Sequence, residues 1–176
     1  MKRIPYLLLL AITSIGCAAS PDLPVKPPNI VILYMDDLGW KDVSIYGSAF
    51  YDTPNIDRLA ERGALFTRAY SAAPLCAPSR GALLSGKYPA RTKFTSVRSN
   101  APDDSLYSQS KVFGVGNTAL EAPHRQNLPL SETVFAERFQ AAGYATGFAG
   151  KWHSGRQPGY HPLDRGFDEI FAVRKE

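Results

Sequence analysis

Residues 76–86 read CAPSRGALLSG, a cysteine-containing pentapeptide that runs into what we predict to be the first turns of a helix. Of the two cysteines in this 176-residue chain, Cys76 is the one outside the N-terminal leader. A lone exported thiol is typically buried, reactive or modified, and a small buried cysteine in a turn is the simplest interpretation of the residue alone. Pro78 keeps the preceding residue extended, so we predict that Cys76 lies just outside a helix beginning at Pro78 or Ser79. The N–H groups of that helix and the charge of Arg80 favour an anion beside the cysteine.

The N terminus has the pattern of a secretory signal peptide: a short basic start, an apolar run too short to span a bilayer, and a run of small residues. Residues 14–17, SIGC, also loosely resemble a lipoprotein-processing box in which Cys17 would be acylated, and plain cleavage shortly after it is the alternative. We assign residues 1–19 to a signal peptide and residues 20–28 to a linker. The protein is therefore expected to be exported, and to be periplasmic, anchored to the outer membrane or extracellular.

The composition is that of a globular α/β domain. Hydrophobic residues make up 44% of the chain and charged residues 20%, without internal repeats or low-complexity runs. The formal net charge of +4 is small and scattered, and two of the basic residues lie in the leader. Such a balance argues against a nucleic-acid partner. A membrane contact is expected only through a lipid on Cys17.

Residues 29–35 form a continuous apolar run that ends abruptly at Asp36 and Asp37. Unbroken apolarity is typical of a central strand in a parallel sheet that is covered on both faces. Ligands of open α/β sheets gather at the carboxyl ends of the strands, where these two aspartates would fall. Adjacent carboxylates repel unless a cation or donors compensate them, and hard oxygen ligands suit Ca²⁺ or Mg²⁺. A turn that simply ends the strand is the alternative.

Two helices are predicted from their terminal residues. The first begins at Thr53, as the N-cap, and Pro54, and it ends at Gly63. Its apolar face comprises Ile56, Leu59 and Ala60. The second begins at Ser131, as the N-cap, and ends at Gly143.

Short buried strands are predicted over residues 64–67 and 144–150. Lys151 and His153 follow the second strand, and in an extended segment they point to the same side, opposite Trp152. A cation and an imidazole on one side can bind anionic oxygens and stabilise a departing alkoxide. A surface lysine and a packed histidine are the alternative for these residues in isolation.

Residues 93–128 are the least informative part of the chain, because Ser, Asn, Asp, Gly and Pro are abundant and the periodicity is weak. A connection of this length is typically a functional loop or a disordered one. Three residues are candidates for a pocket rim by position alone, and we expect none to be catalytic: Arg98, Asn100 and His124. Turn residues that we expect to be structural are His161, Asp164 and Arg165.

The Cys-x-Pro-Ser-Arg pentapeptide, followed by a Leu-x-Gly segment, resembles the signature of the sulfatase family. Other segments support this resemblance in the same order along the chain: residues 29–40 (NIVILYMDDLGW), 53–62 (TPNIDRLAER), 143–153 (GYATGFAGKWH) and 166–168 (GFD). The resemblance implies an α/β fold, an alkaline-phosphatase-like sandwich whose mostly parallel central sheet is flanked by helices. Residues 29–176 would form the N-terminal part of that catalytic domain, so the sheet would be incomplete in this chain.

The resemblance implies hydrolysis of sulfate esters, with a sulfated carbohydrate or an aryl sulfate as the substrate. A formylglycine-generating maturation enzyme would oxidise Cys76 to formylglycine, whose hydrate attacks sulfur in line. The alcohol leaves, and the second hydroxyl then expels sulfate by re-forming the aldehyde. Arg80 would hold and polarise the hydrate, and Lys151 and His153 would contact the sulfate group.

A divalent cation, Ca²⁺ or Mg²⁺, is also implied, held by Asp36, Asp37 and the modified Cys76. Sulfatases are severalfold longer, and they add an Asp-Asn pair and a second His and Lys from a later segment. Two carboxylates and one modified residue leave such a cation short of ligands. We therefore expect the 176-residue chain on its own to be inactive or poorly folded, with an apolar sheet edge exposed.

Three alternatives remain open at this stage. A phosphatase or phosphonate hydrolase of the same superfamily would share the plan of metal and nucleophile, but phosphatases there use Ser or Thr at the position of Cys76. A non-catalytic exported remnant or binding lipoprotein would keep the fold without turnover. A phosphatase with a cysteine nucleophile would need a longer spacing than the interval from Cys76 to Arg80. Formylglycine at position 76 would separate the sulfatase from all three.

Overall fold

The computed structural model describes residues 26–97, 102–107 and 122–174. These residues fall into two units, one that ends at Tyr34 and one that begins at Met35. The first unit carries no helix or strand within its described residues, and all the regular structure below belongs to the second.

Several sequence predictions lie outside the described residues. They concern the signal peptide with Cys17, most of the linker, and the rim candidates Arg98 and Asn100. Within the part of the chain that is described, no helix combines the length and the apolar character needed to cross a bilayer.

Helices and a small parallel sheet make up the regular structure. The helices are α1 (Pro54–Arg62), α2 (Cys76–Ser85), α3 (Pro89–Thr92) and α4 (Phe135–Ala141), and the strands are β1 (Gly147–Lys151) and β2 (Glu169–Arg174). Short 3-10 helices span Ser44–Tyr46 and Pro162–Arg165. β1 and β2 pair in parallel, with Gly147 opposite Glu169, and the ladder is irregular between Ala149 and Lys151. Parallel pairing of this kind fits the predicted α/β class.

α1 has the predicted ends, because both are encoded locally. Thr53 is its N-cap, Pro54 its first residue, and Gly63 follows its last turn and donates to the Ala60 carbonyl at 3.3 Å. The predicted apolar face is not covered in the described residues: Leu59 is 65% exposed. Local signals therefore set where the helix begins and ends, but not what it packs against.

The predicted strands at residues 29–35 and 64–67 are wrong. Neither segment belongs to the sheet, which in the described residues has the two strands β1 and β2. Both segments are exposed: Val31 is 81% accessible, Leu33 70% and Phe66 69%. An apolar run becomes a strand only when a neighbouring strand pairs with its N–H and C=O groups. Without that pairing the apolar side chains of both segments remain at the surface.

The prediction that Cys76 lies outside its helix is also wrong, because α2 begins at Cys76. Leu75 is the N-cap with extended backbone, and the Ser79 N–H donates to the Leu75 carbonyl at 3.1 Å. Pro78 stands in the first turn, where backbone N–H groups have no partner within the helix, so its missing N–H is tolerated. Ala77 is helical despite the proline that follows it, since α2 packs it into the core.

α4 begins later than predicted, at Phe135 rather than after Ser131. Val134 is the N-cap, and its N–H donates to the Glu137 carboxylate at 3.0 Å. A reciprocal bond from the third helical residue therefore starts the helix, without a hydroxyl at the N-cap. The predicted end is confirmed, because α4 stops just before Gly143, whose φ is 84°.

β1 is shorter than the predicted strand at residues 144–150. The Tyr144 N–H still donates to the Phe139 carbonyl at 3.0 Å, so the start of the segment closes α4 instead of entering the sheet. The strand proper begins at Gly147 and ends at Lys151. Lys151 is thus a strand residue, and the polar segment after it begins one residue later than predicted.

The core is formed mainly by α2, α4, β1 and the loops beside them, and it comprises Ala77, Leu84, Phe94, Leu128, Val134, Ala136, Trp152 and Phe167. The Phe167 ring makes edge contacts with Trp152 and Phe148, at centroid distances of 5.9 and 5.3 Å. A Cβ at Gly81 would lie 2.5 Å from the Phe94 ring, so α2 sits directly on that ring. The helix that begins at Cys76 is therefore anchored on the core.

Arg165 is the main polar crosslink of this unit and is 2% exposed. Its Nε donates to Glu137 Oε1 at 3.0 Å, and its Nη2 donates to the Glu132 carbonyl at 2.5 Å. Gly166, which follows, has a φ of 79° and ends the 3-10 helix. The expectation that this turn is structural is consistent with these contacts.

Candidate active site

Three of the predicted site residues meet through their charged groups. Arg80 Nη2 donates to Asp36 Oδ1 at 3.2 Å, and Lys151 Nζ donates to Asp36 Oδ2 at 2.8 Å. The three residues come from α2, from the end of β1, and from the segment before the first 3-10 helix. Residues distant in sequence are thus brought to one carboxylate.

Arg80 also fixes the backbone around this carboxylate. Its Nη1 donates to the Lys151 carbonyl oxygen at 2.7 Å, and the residue is 8% exposed. Cys76 and Arg80 are four residues apart in α2 and therefore lie on the same face of the helix. Cys76 is partly exposed. The cysteine consequently stands one helical turn from the charged cluster.

The charges in the cluster keep Asp36 ionised. The hydrogen bond from Lys151 is the largest cause that lowers the pKa of Asp36, partial burial opposes it, and the Arg80 hydrogen bond lowers the pKa further. The Asp36 side chain is 33% exposed, so solvent screens part of this interaction. The site thus pairs one carboxylate with two basic groups.

Ser79 shapes the segment that leads into Cys76. Its hydroxyl lies 2.8 Å from the Ser71 hydroxyl and donates to the Ala73 carbonyl at 2.6 Å, and the residue is 7% exposed. The Ser71 hydroxyl reaches the same carbonyl at 2.9 Å. Sequence analysis considered Ser79 only as a possible first residue of the helix, and it gave Ser71 no role. The pentapeptide alone could not reveal this clasp, because its partners lie six and eight residues upstream.

His153 is oriented by a backbone carbonyl. Its Nε2 lies 2.7 Å from the Val97 carbonyl oxygen, and since a carbonyl can only accept, Nε2 carries the proton. The neighbouring Trp152 is buried, and its Nε1 donates to the Tyr160 carbonyl at 2.8 Å. Lys151 and His153 are both only partly buried, but His153 has left-handed backbone with φ 52°, so the extended segment on which their predicted common side depends does not continue through His153.

The start of β1 is clamped by a cluster that sequence analysis missed. The Asp168 carboxylate accepts from the Thr146 N–H at 2.8 Å, from the Thr146 hydroxyl at 2.9 Å and from Gln140 Nε2 at 2.6 Å. The Thr146 backbone N–H is the largest cause that lowers the pKa of Asp168. Because β1 carries Lys151 at its other end, this clamp sets the strand from which the lysine projects. The Gly-Phe-Asp motif at residues 166–168 was the sequence feature that could have indicated this cluster.

His124 is buried, and its backbone pairs with Tyr107 in an antiparallel bridge of 2.8 Å in both directions. Nearby, the Tyr160 hydroxyl donates to the Asp104 carboxylate, which also accepts from the Leu130 N–H at 2.9 Å. Desolvation and this carboxylate raise the pKa of Tyr160 strongly. These contacts tie the central loop to the body of the unit.

The donor chemistry at the site fits a hard cation only in part. Asp36 and Asp37 offer oxygen ligands of the kind that Ca²⁺ and Mg²⁺ prefer, and Asp37 has left-handed backbone with φ 54°. Residues 26–97, 102–107 and 122–174 contain no group of three or more His, Cys, Asp or Glu side chains that could hold a metal ion. The two aspartates alone are too few to complete a cation site.

Comparison with known proteins points in one direction. Residues 28–175 match the family model described as Sulfatase. N-acetylgalactosamine-6-sulfatase from Canis lupus familiaris is 42% identical over 166 residues, which is 94% of this chain and 28% of that protein. Arylsulfatase H from Homo sapiens is 40% identical over 153 residues, which is 83% of this chain and 24% of that protein. The chain thus spans about a quarter of the length of these curated relatives.

Solved structures give the same picture. The PsFucS1 sulfatase from Pseudoalteromonas sp. has a TM-score of 0.62 and 32% identity, over 85% of this chain and 27% of that one. Ps i-CgsB in complex with k-i-k-neocarrahexaose has a TM-score of 0.57 and 37% identity, over 79% of this chain and 27% of that one. These likenesses confirm the predicted fold class, the alkaline-phosphatase-like α/β fold.

Proposed function

The chain belongs to the sulfatase family, and on that premise we propose that its residues serve the hydrolysis of sulfate esters. The observation that carries this proposal is the meeting of Arg80, Lys151 and Asp36 one helical turn from Cys76. Two basic groups held beside a potential nucleophile suit the transfer of an oxyanionic group. The charge that develops on sulfate oxygens during the transfer would be stabilised there.

Cys76 is the proposed nucleophile position, after oxidation to formylglycine by a maturation enzyme. Formylglycine would supply a hydrated aldehyde, with one hydroxyl to attack sulfur and a second to release sulfate. The contribution of the described residues is to fix the position of residue 76. Ser79 clasps the segment before α2, and Gly81 seats the helix on Phe94. A fixed nucleophile reduces the entropy that must be lost to reach the transition state.

Arg80 and Lys151 would provide the positive charge of the site. Arg80 bridges Asp36 and the Lys151 carbonyl, so it holds the end of β1 against α2. Lys151 and His153 are the residues we propose to contact the sulfate group. The Val97 carbonyl keeps a proton on Nε2 of His153 and sets the orientation of its ring.

Asp36 and Asp37 would contribute ligands to a divalent cation, Ca²⁺ or Mg²⁺, together with the modified residue 76. Bound there, such a cation would withdraw charge from a sulfate oxygen. Adjacent carboxylates need a positive partner, and in this chain Lys151 and Arg80 supply it to Asp36. The remaining ligands of a six-coordinate ion would have to come from other parts of the protein.

We propose a sulfated carbohydrate as the substrate, with an aryl sulfate as the second choice. The support is chemical kinship: one relative is named N-acetylgalactosamine-6-sulfatase, and one solved neighbour contains k-i-k-neocarrahexaose. Export through the leader, with or without a lipid on Cys17, would bring the protein to such substrates. A formylglycine-generating enzyme would be its partner during maturation.

The proposal is tested by producing the protein together with a formylglycine-generating enzyme. Mass spectrometry of the peptide that contains Cys76 should show the aldehyde, and sulfate release from sulfated saccharides by the protein that carries the remaining cation ligands should depend on it. Cys76→Ala should abolish both signals. Cys17→Ala, in the leader, is the control: it should remove a lipid on that cysteine and leave the aldehyde at position 76 unchanged. Sulfate release that survives Cys76→Ala would refute the proposed nucleophile.

A further inference from the structure

A tight turn follows the aspartates of the candidate site and carries Trp40 and Lys41 at its tip. The Asp42 N–H donates to the Gly39 carbonyl at 2.9 Å, and the Gly39 N–H donates to Asp42 Oδ2 at 2.7 Å. These two hydrogen bonds close a β-turn in which Trp40 and Lys41 are the central residues. Val43, which follows directly, is buried. The turn therefore displays an indole and an ammonium at adjacent positions.

The Trp40 side chain is held in place although the residue is 68% exposed. Its ring makes an edge contact with the Tyr46 ring at a centroid distance of 6.1 Å, and the Tyr46 hydroxyl donates to the Phe66 carbonyl at 2.6 Å. Lys41 Nζ lies 5.1 Å from the centroid of the Trp40 ring, which is the distance of a cation–π contact. Side chains that are already ordered lose little further conformational freedom when a ligand packs against them.

The tip of the turn thus offers a flat apolar ring beside a positive charge. On the basis of the proposed function, we propose that Trp40 and Lys41 form a sugar-binding subsite for the sulfated carbohydrate. The C–H groups on one face of a sugar ring pack against the indole, and a sulfate on that sugar pairs with the Lys41 ammonium. A purely apolar partner would gain nothing from the lysine, whereas a sulfated sugar uses both side chains.

The place of the turn along the chain fits this role. Trp40 follows Asp36 by four residues, so their Cα atoms are at most about 14 Å apart. Asp36 is the carboxylate at which Arg80 and Lys151 meet. A short oligosaccharide can span this distance, so the sugar on Trp40 would be a close neighbour of the sugar that carries the reacting sulfate ester. Trp40 and Lys41 would therefore favour sulfated oligosaccharides over single sulfated sugars.

Tryptophan fluorescence tests the subsite directly, because the chain has two tryptophans and the other one, Trp152, is 4% exposed. Acrylamide, an uncharged quencher, should quench Trp40 and barely reach Trp152. A sulfated galactan tetrasaccharide should remove most of the quenching of Trp40, and the Trp40→Phe variant, in which Trp152 alone emits, should show no response. Quenching that the tetrasaccharide leaves unchanged would overturn the inference. A Trp40 that is shielded before any saccharide is added would also overturn it, because a polypeptide segment would then cover the ring.

Calorimetric affinities of variants separate the two side chains. Trp40→Ala should weaken binding of the sulfated tetrasaccharide about tenfold, whereas Tyr88→Ala, at an aromatic residue that is 71% exposed, should leave it unchanged. Lys41→Gln should weaken binding about threefold for the sulfated tetrasaccharide and not for its desulfated form. Lys26→Gln, at another exposed lysine, is the matched control. Equal affinities for the parent and Trp40→Ala, or a Lys41 effect that persists without sulfate on the sugar, would overturn the inference.

These binding measurements use the chain with an unmodified cysteine at position 76, so they do not depend on turnover. Binding at Trp40 without sulfate release by the matured protein would refute the proposed function alone. Sulfate release from the tetrasaccharide with the same KM in the parent and in Trp40→Ala would refute this inference alone.

Discussion

Arg80 holds the main chain of Lys151: its Nη1 lies 2.7 Å from the Lys151 carbonyl oxygen, across 71 residues of sequence. The second terminal nitrogen of the same guanidinium reaches Asp36 at 3.2 Å. The planar guanidinium group of Arg80 thus links α2 to the end of β1 and to the loop that carries Asp36. A lysine could not do this, because its single ammonium lacks the fork of donors.

Arg80→Lys is therefore expected to lose both function and stability. We expect a loss of about 2–3 kcal/mol in the free energy of unfolding, since the Lys151 carbonyl and Asp36 each lose a charge-assisted donor. Urea unfolding of the two proteins measures this. Arg91→Lys, at an exposed position in α3, is the matched control and should be neutral. Equal midpoints for parent and Arg80→Lys would contradict the bridging role.

Ser79→Ala tests the clasp in front of the cysteine. Removing the hydroxyl takes a donor from the Ala73 carbonyl and a partner from Ser71, which should cost about 1–2 kcal/mol. The looser segment should also lower formylglycine-dependent turnover under conditions in which the variant is still fully folded. Ser85→Ala is the control, because the Ser85 hydroxyl donates to the Gly81 carbonyl at 2.7 Å and accepts from the Lys87 N–H at 3.3 Å, both at the end of α2 away from Cys76. If both serines behave alike, Ser79 has no special role.

Gly166→Ala and Gly143→Ala form a pair that separates crowding from backbone strain. Both glycines have positive φ, 79° and 84°. A Cβ at Gly166 would lie 2.6 Å from Glu137 Cα, whereas a Cβ at Gly143 would meet nothing within 4 Å. Gly143→Ala should therefore cost about 1 kcal/mol, and Gly166→Ala several times more, because α4 must move away. Thermal unfolding of both variants measures these two stability losses. Losses of similar size would contradict the close packing at Gly166.

Asp168→Asn tests the clamp on β1 through its pH dependence. The pKa of Asp168 is lowered from its ordinary value of 3.8, first by the Thr146 N–H and then by Gln140. A carboxyl with a lowered folded-state pKa stabilises the fold fully above about 3.9, and this contribution is lost as the pH falls through the folded-state value. The stability difference between parent and Asp168→Asn should therefore be constant from pH 7 to pH 5 and shrink below pH 4. A difference that grows on acidification would have the wrong sign.

The sequence was informative wherever the determinant is local or belongs to a short motif. Thr53, Pro54 and Gly63 marked the ends of α1, because capping and chain reversal depend on a few neighbouring residues. The motif residues Asp36, Arg80 and Lys151 were singled out, and the structure brings them together.

Features that depend on distant partners could not be derived in the same way. Residues 29–35 have the composition of a buried strand, but pairing partners decide whether a strand forms, and composition does not contain them. The start of α4 depends on the reach of the Glu137 side chain to the Val134 N–H. Lys151 and Asp36 are 115 residues apart in sequence. No spacing rule predicts that these two site residues form a hydrogen bond with each other.

The exposed apolar run at residues 30–35 has a practical consequence for handling the protein. Six consecutive large apolar side chains, each at least 38% accessible, form a segment with strong β propensity and no charge. Such a segment is a site for self-association and for capture by holdase chaperones. The associated fraction of the isolated chain should accordingly rise with protein concentration, and light scattering during purification should report this before any assay of catalysis is attempted.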